Sequence, residues 1–381
     1  MREVLLRSVD GQNVALVDKL DQYEKTCGPS ADDFLWSGCA GTRFWHIKGP
    51  SPCESFSMSE PIPNPHASES TPSKRISFSR VTILMATFNG AAHLRQQLDS
   101  YVGQRHVPWD LWISDDGSTD ETRAVVSAFR AEHGANRTIH LIEGPRQGAA
   151  ANFMSLLTHP DLPTDGPVAL SDQDDVWHPD KLACALEALD TSGPCTLYSG
   201  QSLYTDRNLQ VTGRSRPPRR APGFRNALTQ NVVSGHSIVM DPQALALVRQ
   251  AGMPEAIPYH DWWLYLLISG AGGQVCIDET PMIHYRQHGN NTMGANAGLP
   301  ASLRRARQVM GRTYADWIAA NTRSLRLAAD LLTPEHLALL DLFDTTHPGP
   351  LRAWALWRAG LYRQSRLASA AFYLAAVLGR V

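Results

Sequence analysis

The chain has 381 residues, 43% of them hydrophobic and 19% charged, enough to bury a sizeable core and, by length alone, to hold two to three domains. This composition excludes a disordered, collagen-like or disulfide-stapled chain as the whole answer. The formal net charge of −2 conceals an asymmetry: residues 301–381 carry eleven arginines against five acids, so the rest is acidic and the C-terminal end is the part suited to an anionic partner.

Six cysteines (Cys27, Cys39, Cys53, Cys184, Cys195, Cys276) show neither a Cys-x-x-Cys pair nor zinc-like spacing, which points to reduced thiols in a cytoplasmic setting. No run of about 18 apolar residues occurs, and the first residues lack an apolar signal region before Asp10. Membrane spanning and secretion are both disfavoured.

In chain order, residues 1–79 show little periodicity and become rich in Pro and Ser from Gly49 onward, so a disordered leader is expected there, with Met58 as a candidate natural start. From residue 80 apolar β-type runs alternate with helical patterns, the signature of βαβ units and a mostly parallel sheet. Strands are expected at Val81 to Ala86, Leu111 to Ile113, Thr138 to Ile142, Pro167 to Leu170, near Leu197 and at Ser237 to Met240. Helices are expected at Ala91 to Tyr101, Thr119 to His133, Ala149 to Leu157, Lys181 to Leu189 behind an N1-type Pro179, and from Pro242. Between these lies the basic loop Arg214-Ser215-Arg216-Pro217-Pro218-Arg219-Arg220. The last 80 residues read as three helices, from Leu303, Pro334 and Pro350.

Ligands of an open α/β sheet bind at the carboxyl ends of the strands. Here those ends are acidic: Asp115-Asp116-Gly117-Ser118-Thr119-Asp120-Glu121 after the second strand and Asp172-Gln173-Asp174-Asp175 after the fourth. Carboxylates gathered on one edge repel one another unless a cation or donor groups lie between them, and a divalent metal is the simplest resolution. Other readings of the same residues stand beside this. Asp116-Gly117 is also a turn signal, Ser118 with Glu121 a capping box, and Asp261 a helix N-cap.

Five stretches carry a resemblance: Ala86-Thr87-Phe88-Asn89-Gly90, Asp115 to Asp120, Ser171-Asp172-Gln173-Asp174-Asp175-Val176-Trp177, His260-Asp261-Trp262-Trp263 and Tyr285-Arg286-Gln287-His288. In this order and at these intervals they resemble the family-two, inverting, GT-A-type glycosyltransferases over about residues 80–292, and the rhamnosyltransferase-like branch in particular. The resemblance implies an α/β fold with a Rossmann-like nucleotide-binding half, a mixed and mostly parallel sheet, and here a C-terminal helical extension over 293–381. It implies that Thr87, Asn89, Asp115, Asp116, Gly148 and Asp172 serve the nucleotide. It assigns a divalent metal (Mn²⁺ or Mg²⁺) to Asp174, Asp175 and His288, although spacing leaves open which acid of 172–175 touches the ion. Asp261 inherits the role of base, taking the proton of the attacking hydroxyl in a single displacement. Gly235, His236, Trp262 and Trp263 would line the acceptor side, Gly235 by close backbone approach.

The expected activity is transfer of a sugar from a nucleotide-diphospho-sugar, with dTDP-L-rhamnose as the donor, to a saccharide or lipid-linked saccharide of a bacterial surface polymer. A UDP-hexose donor, or a non-catalytic sugar-nucleotide or glycan-binding module, are the alternatives. Residues 351–381 combine five arginines, five aromatics and no acid, the composition of an interfacial membrane helix, so peripheral contact with the inner leaflet is expected there; packing on the catalytic domain is the competing reading. Nucleic acid as a partner is disfavoured, because the remainder of the chain is acidic.

Overall fold

The computed structural model describes residues 78, 80–105, 107–287, 312–343 and 348–381, together with the backbone of two short strands, β1 (Phe34–Ser37) and β2 (Phe44–Ile47). These two pair antiparallel, so the stretch expected to be a structureless leader contains a β-ribbon built from Phe-Leu-Trp-Ser and Phe-Trp-His-Ile. Aromatic and β-branched residues in a short run favour that pairing.

The main unit begins at β3 (Val81–Thr87) and continues through α1 (Ala91–Val102), β4 (Trp109–Asp115), α2 (Thr122–His133), β5 (Ile139–Glu143), α3 (Ala149–Leu157), β6 (Val168–Ser171), β7 (Val176–Trp177) and α4 (Lys181–Thr191). It proceeds through β8 (Thr196–Thr205), β9 (Val211–Arg214), α5 (Phe224–Ala227), a 3₁₀ turn at Gly235–Ser237, β10 (Val239–Met240), α6 (Pro242–Ala251), α7 (His260–Gly270) and β11 (Gln274–Arg286). Nine strands form one sheet in the order β5-β4-β3-β6-β10-β8-β11-β7, with β9 on the side of β8. Strands β3, β4, β5 and β6 are parallel, as are β8 and β11, while β10 runs antiparallel to both β6 and β8. This is the mixed, mostly parallel sheet expected from the sequence.

Alternation along the strands divides the core. Val81, Ile83 and Met85 pack with Leu98, Trp109, Phe129 and Tyr198 on one face, whereas Leu84, Leu170, Leu197 and Met240 pack with Phe153 and the indole of Trp263 on the other. Helix α7 is apolar on all sides after its first two residues and is buried along its length, as such a helix must be.

Helices α8 (Arg312–Leu327), α9 (Pro334–Asp341), α10 (Gly349–Arg358) and α11 (Arg366–Val377) cover α7, and Leu325, Leu340, Leu356 and Phe372 join the same core as Trp263. The single helix expected from Pro350 is therefore two helices, turned at Gly360 with φ +72. Arg363, which composition alone placed on a lipid-facing surface, instead donates to the Thr229 carbonyl and to the Tyr314 hydroxyl. Asn226 and Thr229 bond the Tyr362 carbonyl at 3.0 and 2.6 Å, so the C-terminal segment is fastened to the sheet domain by polar contacts as well as by its core. Among the described residues no helix is long and apolar enough to cross a membrane. Residues 303–311 of the expected helix from Leu303 lie outside the described residues.

Candidate active site

Because β10 opposes β6 and β8, the 3₁₀ turn that leads into β10 lies at the edge where β3, β4, β6, β8 and β11 end. All the acidic segments therefore meet at one rim of the sheet, with Thr87 opposite Asp115 in the register of β3 and β4.

At the β3–β4 end the two carboxylates are saturated by the protein. Asp115 is fully buried and accepts from Thr87 Oγ1 (3.2 Å), Ser118 Oγ (2.5 Å), Ser118 N (3.2 Å) and Arg123 Nη1 (3.2 Å). Asp116 accepts the backbone N–H of Arg146 at 2.6 Å and of Gly148 at 2.8 Å, and so holds the loop before α3 against β4. Gly148 caps α3 with φ 87, a conformation that favours glycine. Asn89, also at positive φ, accepts from Thr119 N (2.8 Å) through its side chain and donates its own N–H to Ser118 Oγ (2.9 Å). The expected capping box of Ser118 and Glu121 does not form, because Ser118 is engaged with Asp115 and Asn89; the helix starts at Thr122, with Asp120 accepting its N–H at 3.0 Å.

The β6 end is the opposite case. The chain bends at Gln173 and Asp174, which breaks the two-residue alternation and sends Asp172 and Asp175, rather than Asp172 and Asp174, toward a common point. The bend is held by Gln173, whose side chain forms a pair of hydrogen bonds with the backbone of Phe88 at 2.9 and 3.0 Å. Arg286 at the end of β11 holds it too, donating from Nε to the Asp174 carbonyl at 3.0 Å and from its backbone N–H to Asp175 at 3.3 Å.

Asp172, Asp175 and His236 each bring one ligand atom within 4.8 Å of the others. The expected trio of Asp174, Asp175 and His288 is thus corrected in one member. Asp174 is not part of the cluster, and His288 lies outside the described residues. Asp172, expected at the nucleotide, and His236, expected at the acceptor, stand with Asp175 in this cluster.

This cluster is electrostatically incomplete. Burial, followed by repulsion from Asp174 and Asp261, pushes the Asp172 carboxyl up to about 7. Burial and the charges of Asp172 and Asp174 push Asp175 well above the usual range, and its Oδ2 is buried without a hydrogen-bond partner. Burial, then the nearby Lys181, lowers His236 to about 3, so its ring is neutral at neutral pH. Its Nε2 is held by Ser202 Oγ at 2.8 Å, its ring stacks on Tyr285 at 4.8 Å, and Nδ1 points to Asp172 at 4.0 Å. Two carboxylates and an oriented neutral imidazole are a suitable donor set for Mn²⁺ or Mg²⁺, and an orphaned buried oxygen with raised carboxyl pKa values is what a cation would relieve.

Asp261 stands next to this cluster, at the first turn of α7. Its carboxylate accepts the N–H of Trp262 at 2.7 Å and of Gly235 at 3.2 Å, yet burial outweighs these bonds and pushes it up to about 6. Gly235 is required by closeness: a Cβ there would meet His260 Nε2 at 2.6 Å. The expectation that Trp262 and Trp263 face an acceptor is corrected. They are 4% and 1% exposed, both belong to the core, and Trp262 Nε1 donates to the Ala227 carbonyl at 2.7 Å. Two adjacent tryptophans on an all-apolar helix point to different sides of a packed interior, leaving no ring face for a sugar.

Sequence reasoning missed several supporting residues. Ser202, Gln173 and Arg286 orient the cluster, and Asn231 bonds the Asp261 carboxylate. Lys181 is buried with its ammonium 3.7 Å over the Trp177 ring and no hydrogen-bond partner for Nζ; burial lowers it to about 7 against the pull of Asp175. Its only signal in the sequence was a lysine at a helix start following an acidic loop.

Comparison with known proteins shows the family to which the chain belongs. The family model described as glycosyl transferase family 2 matches residues 82–250. An uncharacterized glycosyltransferase of Nostoc sp. is 31% identical over 225 residues, covering 57% of this chain and 67% of the relative. The dTDP-rhamnosyl transferase RfbG of Shigella flexneri is 28% identical over 239 residues, covering 60% of this chain and 80% of RfbG. The solved structure of S. aureus TarS 1–349 in complex with UDP-GlcNAc aligns with 79% of this chain and 91% of its own, at 12% identity and a TM-score of 0.46. The chain belongs to glycosyl transferase family 2 and is a glycosyltransferase.

Proposed function

We propose that the protein transfers a sugar, L-rhamnose from dTDP-L-rhamnose, to a hydroxyl of a saccharide or lipid-linked saccharide acceptor, with inversion at the anomeric carbon. The observation that carries this reading is Asp261, a buried carboxylate pushed up to about 6 and oriented by two backbone N–H groups beside an acidic cluster in which one buried oxygen of Asp175 has no hydrogen-bond partner. A base with that affinity is ionised at neutral pH and still basic enough to take a proton from an attacking hydroxyl. The nucleoside lies over the β3–β4 rim, where Thr87, Asn89 and Gly148 shape the floor and Asp115 and Asp116 keep it rigid. Asp172, Asp175 and His236 hold a divalent cation, which when bound offsets negative charge on the departing nucleoside diphosphate. The choice of rhamnose rests on the similarity to RfbG.

The acceptor approaches from the Gly235–His236 side. The outer faces of α10 and α11 meet an anionic lipid surface, since Trp357 (62% exposed), Leu367 (72%), Leu374 and Leu378 stand there with Arg358, Arg366 and Arg380, and residues 348–381 contain no acid.

Thermal-shift titration with dTDP-rhamnose, UDP-glucose and GDP-mannose, each with Mn²⁺, tests the donor. The reading expects the largest stabilisation from dTDP-rhamnose, about 2.7 kcal/mol at a concentration near 100 times its dissociation constant. A larger shift with either of the other two would overturn the choice of donor, and no shift with any of them would overturn the nucleotide-sugar reading.

A further inference from the structure

The basic loop after β9 has no part in the site described so far. Arg214, Arg216 and Arg219 line a cleft of about 740 Å³ together with Tyr204, Thr212 and Gln287, and none of the described residues lining it is acidic. Among the described residues none of these three arginines forms an ion pair or hydrogen bond through its side chain, in contrast to Arg95, Arg123, Arg225 and Arg326, which pair with carboxylates. Three guanidinium groups facing one cleft without an acid repel one another, and each has five donors shaped to meet phosphate oxygens two at a time.

The cleft is joined to the transfer centre. Tyr204 meets Tyr285 edge-on at 6.2 Å, and Tyr285 stacks on His236. Ser215, between two of the arginines, accepts the Ser202 N–H at 2.8 Å, and Ser202 Oγ is the group that holds His236. The cleft's place in the sheet decides which substrate it serves. The proposed nucleoside floor is at β3 and β4, the acidic cluster is where β6 ends and β10 begins, and the cleft is beyond both, at β8 and β9. A donor stretching from the floor to the cluster leaves the cleft to the other substrate. The end of the same loop is fixed to the C-terminal helices, with the Arg220 guanidinium 3.6 Å over the Tyr362 ring and Gln364 bonding the Arg220 backbone in both directions, at 2.9 and 3.2 Å.

We propose that Arg214, Arg216 and Arg219 form an anion subsite on the acceptor side of the transfer centre, which takes the diphosphate of a lipid-linked sugar acceptor. The proposal rests on the glycosyl-transfer reading and adds the acceptor's chemical class: a sugar whose carrier ends in a diphosphate, with the growing glycan near Asp261 and the lipid leading away past the exposed face of α10 and α11. The three arginines differ from the cation cluster in reading charge without a metal.

The test measures binding to the full chain in EDTA, so that diphosphate held through a cation is removed. Farnesyl diphosphate, inorganic diphosphate and farnesol are the probes, and the variant is R214Q/R216Q/R219Q. The proposal expects farnesyl diphosphate to bind the wild type more tightly than farnesol or inorganic diphosphate does. It expects the variant to lose about tenfold or more of that affinity, with its melting temperature and its dTDP affinity in Mn²⁺ unchanged. Should the triple variant not fold, R216E alone is expected to weaken farnesyl diphosphate in the same direction. Equal affinity in wild type and variant would overturn the subsite. A parallel loss of dTDP would assign the arginines to the donor and overturn the acceptor placement. Inorganic diphosphate binding as tightly as farnesyl diphosphate would overturn the lipid-linked carrier. Absence of dTDP binding in the wild type contradicts the donor reading instead, and is distinguishable because the EDTA measurements do not involve the nucleotide.

Discussion

Two acidic corners of the same sheet edge differ in what surrounds them. At the end of β4, Asp115 and Asp116 have their oxygens occupied by hydroxyls, backbone N–H groups and Arg123. At the end of β6, Asp172 and Asp175 face each other, His236 and the neighbouring Asp261, and an oxygen of Asp175 has no partner. The first corner is held by the protein's own donors, whereas the second keeps a buried carboxylate oxygen without one. An aspartate in a motif acquires its role from its partners rather than from its position at a strand end.

The comparison predicts different failures. The largest effect is expected at the second corner: Asp175→Ala or Asp172→Ala removes a proposed cation ligand, and transfer should fall by roughly 10³-fold, equivalent to about 4 kcal/mol of transition-state stabilisation. Mn²⁺ affinity, followed by electron paramagnetic resonance, should fall with it, and unchanged affinity in both variants would remove the distinction between the corners. At the first corner, Asp116→Ala should act on stability, costing about 3 kcal/mol for two backbone donors left without their charged acceptor. Equilibrium denaturation checks this, and a variant as stable as the wild type but inactive would place Asp116 in the chemistry instead.

A third prediction concerns pH. Asp261 is raised to about 6, so the ionised base is present above that pH and lost below it. The rate under kcat/KM conditions should therefore be level at neutral pH and decline about tenfold per unit below about 6; a profile flat down to pH 4 would exclude a base with this affinity. The smallest effect is expected far from both corners. Arg366→Gln should weaken binding to anionic vesicles by about 1 kcal/mol without lowering the melting temperature, whereas Arg363→Gln should lower the melting temperature, because only Arg363 bonds Thr229 and Tyr314. Co-sedimentation and thermal melts separate the two, and loss of stability in both would mean that the outer face of α11 is packed.

Most of the strand and helix order from Val81 to Met240 was legible in the sequence because its period-2 and period-3.6 patterns were clean, but the short β7, β9 and α5 and the later strand β11 were not expected. The acidic ends were legible too, as four polar residues interrupting apolar runs. Which carboxylates converge was not, since this depends on the bend at Gln173–Asp174, set by Arg286 and Phe88, residues distant in sequence. His236 could not be assigned to the cluster because its approach depends on β10 running antiparallel to β6, a pairing of two residues in each strand. Trp262 and Trp263 misled for a related reason. Aromatic residues next to a proposed base suit sugar stacking, but helices α8 to α11 cover the helix that carries them and leave no open face.

The central claim is that Asp261 takes the acceptor proton. Asp261→Asn preserves shape and its one amide oxygen can still accept one of the two N–H groups, from Trp262 or Gly235, that the carboxylate accepts on separate oxygens, but it cannot take up that proton. Single-turnover release of dTDP from dTDP-rhamnose, with dTDP affinity measured in parallel, tests it directly. The account predicts a rate roughly 10²–10⁴-fold below wild type at unchanged affinity, and a rate within a few-fold of wild type would contradict it.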